Sequence, residues 1–239
     1  RLLLFVAEAI SSFLPGSLRT DVHDQVLATT IRLSRETEDA DAWRSYTRAF
    51  IAEFAARGGD EYEATVRGFA ASDNPDIAWR ARRALAARGL VDAGAVEAWR
   101  SADGSGEAAR MSVEALASLP IEEARSHAWD SVYSETLSND FLTATLAGLQ
   151  ASSWDGETGI EAAVDRLRSY WESHTIGMAL RYANGVLAYG LDIDRDGSVE
   201  RSVGLLRSWL DTNDDAPAQL RRIVIEHLDA FERDERVQR

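Results

Sequence analysis

Apolar residues return every three or four positions along most of this chain, with polar residues between them. Val199, Val203, Leu206 and Leu210 stand at i, i+4, i+7 and i+11, and Leu220, Ile223, Val224, Leu228 and Phe231 repeat the spacing. That period paints one apolar stripe on a helix and leaves the opposite face in water. Extended alternation of Val, Ile and Thr, the mark of strands, is missing. The punctuation is helical as well. Asn74-Pro75-Asp76 reads as an N-cap, a proline at the first helical position and an acid in the first turn. Arg88-Gly89 closes that segment with a cation and a left-handed glycine. Ser138 caps a later start, with Leu137 and Leu142 placed as a hydrophobic staple.

Together these signals predict an all-α chain of about thirteen helices. The expected spans are 2–13, 18–35, 40–57, 60–71, 75–88, 92–101, 106–118, 121–135, 139–151, 157–172, 176–190, 198–212 and 216–236. The links are short and rich in Gly, Asp, Ser and Pro, which makes sequential helices antiparallel neighbours. A weak repeat runs through the middle. Residues 80–87 read RARRALAA and residues 110–117 read RMSVEALA, and each is followed by a helix holding Ala-Trp, at Ala98-Trp99 and Ala128-Trp129. A helix pair cannot bury its apolar face alone, so repeated pairs stack into a HEAT- or armadillo-like α-solenoid. An Ala-rich bundle with chance similarity between its helices is the alternative.

Composition narrows the function classes. The 239 residues carry a net charge of −14, which repels phosphate backbones and argues against nucleic acid as a partner. All 26 basic residues are Arg, and Ala, the strongest helix former, occurs 38 times. No run of 18 apolar residues offers a membrane span. There is no cysteine, hence no disulfide or thiolate site, and the expected location is the cytoplasm. Arg1 to Val6 looks like a signal peptide only briefly, because Glu8 interrupts the apolar run. The chain opens inside an amphipathic pattern without a Met, so residues 1–239 are expected to be one domain excised from a longer protein.

No reactive centre emerges. The four histidines, His23, His127, His174 and His227, are never four residues apart, so the paired-His helix of a zinc protease is missing. Glu226-His227 is a lone pair on a helix. No G-x-S-x-G or phosphate-binding glycine loop occurs, and Asp103-Gly104-Ser105-Gly106 reads as a helix connection. Asp192, Asp194, Asp196 and Gly197 match the first half of a calcium loop, but position 12 is Val203 where a bidentate Glu belongs, with Glu200 at position 9. A calcium site and a plain helix–helix loop capped by Asp196 or Ser198 both remain open there. The seven tryptophans, Trp43, Trp79, Trp99, Trp129, Trp154, Trp171 and Trp209, mostly fall at core positions. Arg80, Arg82, Arg83 and Arg88, and the pair Arg221-Arg222, read as surface ion pairs, with a carboxylate clamp as the minority use. No catalytic, cofactor-binding or metal residue is assigned.

One stretch resembles a known family. Ile121-Glu122-Glu123-Ala124-Arg125-Ser126-His127-Ala128-Trp129, followed by Leu137-Ser138-Asn139-Asp140 and Ala147-Gly148, looks like the C-terminal domain of actinobacterial-type aminopeptidase N, related to the endoplasmic-reticulum aminopeptidases. In that family an Ala-basic-x-x-Ala-Trp helix precedes a Ser-Asn turn, and a helix ending near Gly-Phe follows. Here Arg125 takes the basic position and Leu149 replaces the Phe. Trp79 to Leu90 and Pro217 to Leu228 are similar too, so the likeness covers roughly residues 35–235. The resemblance implies a multidomain zinc exopeptidase in which this part is non-catalytic and covers the active-site cleft. Zinc and the water-activating Glu would belong to a separate catalytic domain. That domain and peptide substrates would be the partners of this chain. A free-standing HEAT-like scaffold for a protein partner is the competing expectation.

Overall fold

The computed structural model describes residues 16–134, 137–152, 159–188 and 198–238. Among them every regular element is helical. The helices are α1 (Gly16–Glu36), α2 (Ala40–Arg57), α3 (Glu63–Ala70), α4 (Pro75–Ala87), α5 (Ala93–Asp103), α6 (Gly106–Ala117), α7 (Glu122–Val132) and α8 (Asn139–Ala151). They continue with α9 (Ile160–Asp165), α10 (Leu167–Ser173), α11 (Ile176–Ala188), α12 (Ser198–Thr212) and α13 (Ala218–Gln238). The helix expected at 2–13, the acidic loop of Asp192, Asp194 and Asp196, and Trp154 all lie outside the described residues.

Local signals set the boundaries. The Asn74 side chain accepts from the Ile77 amide with Pro75 at the first position, as the sequence predicts. At the other end Gly89 has φ +67°, Leu90 N–H bonds to Leu85 C=O, and Gly89 N–H bonds to Ala86 C=O. These are the paired bonds of a Schellman stop, which needs a left-handed residue at that point. Ser138 accepts from Phe141 N–H, and Ser105 and Asp92 cap α6 and α5 in the same way. Two spans differ from expectation. The 60–71 helix begins as a 3-10 turn, Asp60–Tyr62. The single helix expected at 157–172 is two, broken at Arg166. The break lets α9 lie on α12 while α10 packs on α11. The Arg166 guanidinium at the break sits 4.0 Å from the Tyr133 ring centre.

Packing follows alternate helices. α2, α4, α6, α8, α11 and α13 each touch the next member of the set. The others lie against this layer: α1 on α2, α3 on α4, α5 on α6, α7 on α8, α9 and α10 on α11, and α12 on α13. No comparable contact joins α1 to α3, α3 to α5 or α5 to α7. The core is correspondingly drawn out. One cluster gathers Phe50, Ile51, Phe54, Val66, Ile77 and Leu85, and another runs from Ala117 and Trp129 to Val224 and Phe231. The α6–α8 contact is the tightest point, because a Cβ on Gly148 would overlap the Glu114 backbone carbonyl. Gly148 therefore lets two backbones approach where any side chain would hold them apart.

Candidate functional site

Two depressions mark the surface, one charged and one apolar. The charged recess, about 410 Å³, lies between α4 and α6 and is closed at one end by the α5–α6 link. Arg80 and Arg110 both line it. They stand 30 residues apart, at equivalent positions of the two repeated segments, so the repeat puts two guanidiniums into one groove. Arg83 joins them, opposite Asp76, Asp103, Glu107 and Glu114.

Each charge there has a defined partner. Arg80 Nε donates to Asp76 Oδ1 at 2.9 Å, and Arg48 of α2 donates to Asp76 Oδ2 at 2.8 Å. Arg83 pairs with Glu114 across the α4–α6 boundary, and Arg110 pairs with Glu107. The second Glu114 oxygen lies 3.9 Å from Arg110 Nη1. Glu114 is only 7% exposed, so the Arg83 guanidinium offsets much of its desolvation. Arg83 Nε is buried without a hydrogen-bond partner. At the floor, the buried Trp79 indole donates to Asp103 Oδ2 at 2.9 Å. That bond, with those from Ser105, holds the Asp103 carboxyl below its ordinary range. Burial would raise the Asp76 carboxyl, but hydrogen bonds from Arg48 and Arg80 outweigh it and keep it low. The Arg110 hydrogen bond does the same for Glu107. The recess thus sets three arginines against four carboxylates, with the two signs nearly matched. It suits a polar ligand with both charges.

The apolar trough, about 510 Å³, is bounded by α5, α6, α7 and α8. Val113, Leu116, Leu119, Ile121, Ala124 and Phe141 make most of its wall. Ile121 is 47% exposed, one of few large apolar residues so open to water.

The sequence-picked groups disperse. His23 Nδ1 lies 2.6 Å from Glu53, His127 borders the trough, His174 stacks on Tyr170, and His227 meets the edge of Phe231. Glu226 is spent on Arg222. Among the described residues no group of three His, Asp or Glu is arranged to hold a metal. Nor is any helix among them long and apolar enough to cross a membrane. Of the arginine cluster, Arg82 departs from the ion-pair expectation. It lies over Trp79 and Trp99 at 4.9 and 5.5 Å and donates to the Ala70 carbonyl. Arg221 likewise closes the end of α12, donating to the Leu210 and Asn213 carbonyls. Reading the sequence alone missed the recess acids Asp76, Glu107 and Glu114 as a group, although the repeat that aligns Arg80 with Arg110 carried the signal. Compared with known proteins, the chain matches no family model and no curated protein.

Proposed function

We propose that this chain is the non-catalytic, HEAT-like C-terminal domain of a zinc aminopeptidase of the aminopeptidase N type, where it covers the active-site cleft and helps enclose peptide substrates. The observation that carries the reading is the ordered series from Ile121 to Gly148. Each family-like residue has a packing task in it. Trp129 is buried and stacks on Tyr133, Ser138 caps α8, and Gly148 admits the close approach of α6. Those tasks build one helix pair of a stack and hold it against the next.

The stack itself supports an α-solenoid. In a curved layer the helices on the inside of the bend crowd together and those outside splay apart. The series α2, α4, α6, α8, α11, α13 is continuous, and α1, α3, α5, α7 is not. The first series accordingly forms the concave wall, and the charged recess between α4 and α6 belongs to it. A zwitterionic recess on that wall suits a peptide backbone end or a charged side chain. Closing such a wall over a cleft excludes water and limits which peptides enter. Zinc would sit in the catalytic domain, and the cytoplasm is the location this reading carries.

In the longer peptidase, Arg110→Ala is expected to raise KM for long peptides and leave turnover of a small aminoacyl chromogenic substrate unchanged. Turnover of that substrate by residues 1–239 alone would overturn the assignment. A helical-repeat stretch upstream of Arg1, in place of an H-E-x-x-H helix with its downstream Glu, would do so as well. The apolar trough favours a second reading, a HEAT-like scaffold for a protein partner.

A further inference from the structure

The trough between α5, α6, α7 and α8 shares no lining residue with the charged recess, and its chemistry is the opposite. Val113 and Leu116 form its floor, Ala124 and Ala128 of α7 one wall, and Leu137 and Phe141 of α8 the far side. The volume of about 510 Å³ is that of a ligand-sized cleft, and it is open along its length rather than enclosed. All its charged lining is of one sign. Glu97 and Glu123 stand on its edges, Glu97 in an exposed pair with Arg100 on the same helix, and no arginine lines the trough itself. Glu122 and Asp130, also on α7, are exposed. An anionic amphiphile would meet these carboxylates as like charges.

We infer that the trough is a docking groove for a basic amphipathic helix, whose apolar anchors fill it while its Lys or Arg residues meet Glu97 and Glu123. A helix laid in a groove presents anchors at i, i+3, i+4 and i+7. Ile121, held open at the mouth, supplies an apolar ledge for the first anchor. The acidic rim selects the sign of the flanking residues and speeds encounter more than it adds affinity. The inference does not depend on the peptidase reading: the trough shares α6 with the charged recess, but no residue lines both.

The test uses a labelled synthetic helix with Leu at i, i+3, i+4 and i+7 and Lys elsewhere, titrated with the chain by fluorescence anisotropy at physiological salt. Two companions accompany it, one with Glu for every Lys and one with the same composition in scrambled order. Because the chain is strongly acidic, the site must be mapped as well as the affinity. Ile121→Lys changes an exposed position, and circular dichroism confirms that the variant is folded. Glu36→Lys, on α1, serves as a remote charge control. The expected result is binding of the Leu/Lys helix at least tenfold tighter than either companion, weakened at least tenfold by Ile121→Lys and unchanged by Glu36→Lys. Equal binding of the scrambled peptide, an equal loss with Glu36→Lys, or no binding of the Leu/Lys helix would each overturn the inference.

Discussion

Replacing Gly148 with Ala puts one methyl group where α6 and α8 touch. In a helix interior the change normally helps, since Ala is better than Gly by about 1 kcal/mol. Here the new Cβ would overlap the Glu114 carbonyl oxygen and crowd Ala117 Cβ. A backbone carbonyl inside a helix cannot swing away as a side-chain tip can, so the two helices must separate. Even a ~0.5–1 Å gap forfeits a quarter to a half of the dispersion well for the atoms that face it. Overpacking of this kind costs roughly 1–3 kcal/mol. After the helix-propensity gain, Gly148→Ala should lose up to about 2 kcal/mol.

Gly204 supplies the opposite case. It sits mid-way along α12, exposed, and a Cβ there would meet nothing within 4 Å. Gly204→Ala should therefore gain about 1 kcal/mol from helix propensity alone. For a chain of this size each kcal/mol moves Tm by roughly 2–4 °C. Gly148→Ala should thus melt below Gly204→Ala by about 2–12 °C in thermal melts followed by circular dichroism. A Gly148→Ala protein as stable as Gly204→Ala would refute the close approach of α6 and α8, and with it the structural meaning given to the Ala147-Gly148 motif.

Other expectations follow from the charges. Glu114→Leu leaves the Arg83 guanidinium without its partner and should cost about 1–3 kcal/mol, less than for a fully buried pair because Arg83 keeps some solvent. The double variant Arg83→Met with Glu114→Leu should recover most of that loss, as a denaturation double-mutant cycle would show. Asp76 has a depressed carboxyl pKa, so its contribution to stability is complete above the ordinary value of 3.8 and fades as pH falls below it. Asp76→Asn should flatten the acid limb of a stability–pH curve in that window alone. His227 is held below its ordinary value of 6.5 by burial, only partly opposed by Glu226. Its contribution is therefore present above 6.5 and is lost as pH falls through the folded value, and a folded His227→Gln protein should lack that step in urea titrations.

Much of the helical layout could be read from the chain because its ends carry local chemistry. Asn74, Pro75, Gly89 and Ser138 act within four or five residues, so their meaning does not depend on distant parts of the fold. The break at Arg166 could not be read that way. Val164 and Leu167 continue a helical stripe, both segments rest on α11, and only the added contact of α9 with α12 sets them apart. The recess was half legible. The 30-residue spacing aligned Arg80 with Arg110. The opposing acids come from two helices and the α5–α6 link, and nothing in a linear sequence joins Asp76 to Glu107 and Glu114. The trough was not legible at all, since its lining comes from four helices, α5 to α8.

The ion pairs fall into two kinds with different physical consequences. Arg32–Glu36, Arg67–Glu63 and Arg222–Glu226 connect residues one turn apart on single helices, where an exposed pair contributes a few tenths of a kcal/mol. Arg48–Asp76 joins α2 to α4, Arg83–Glu114 joins α4 to α6, and Arg207–Glu232 joins α12 to α13. Apolar contact between Ala-rich helices is non-directional and sets how closely they sit. A guanidinium hydrogen-bonded to a carboxylate adds a preferred alignment along them. The second kind therefore fixes register along the layer rather than adding much stability. The recess follows from the same arrangement, because Arg83 can reach Glu114 only when α4 and α6 stand in the register that also brings Arg80 and Arg110 into one groove. A stack held by shape alone would keep its helices and lose that alignment.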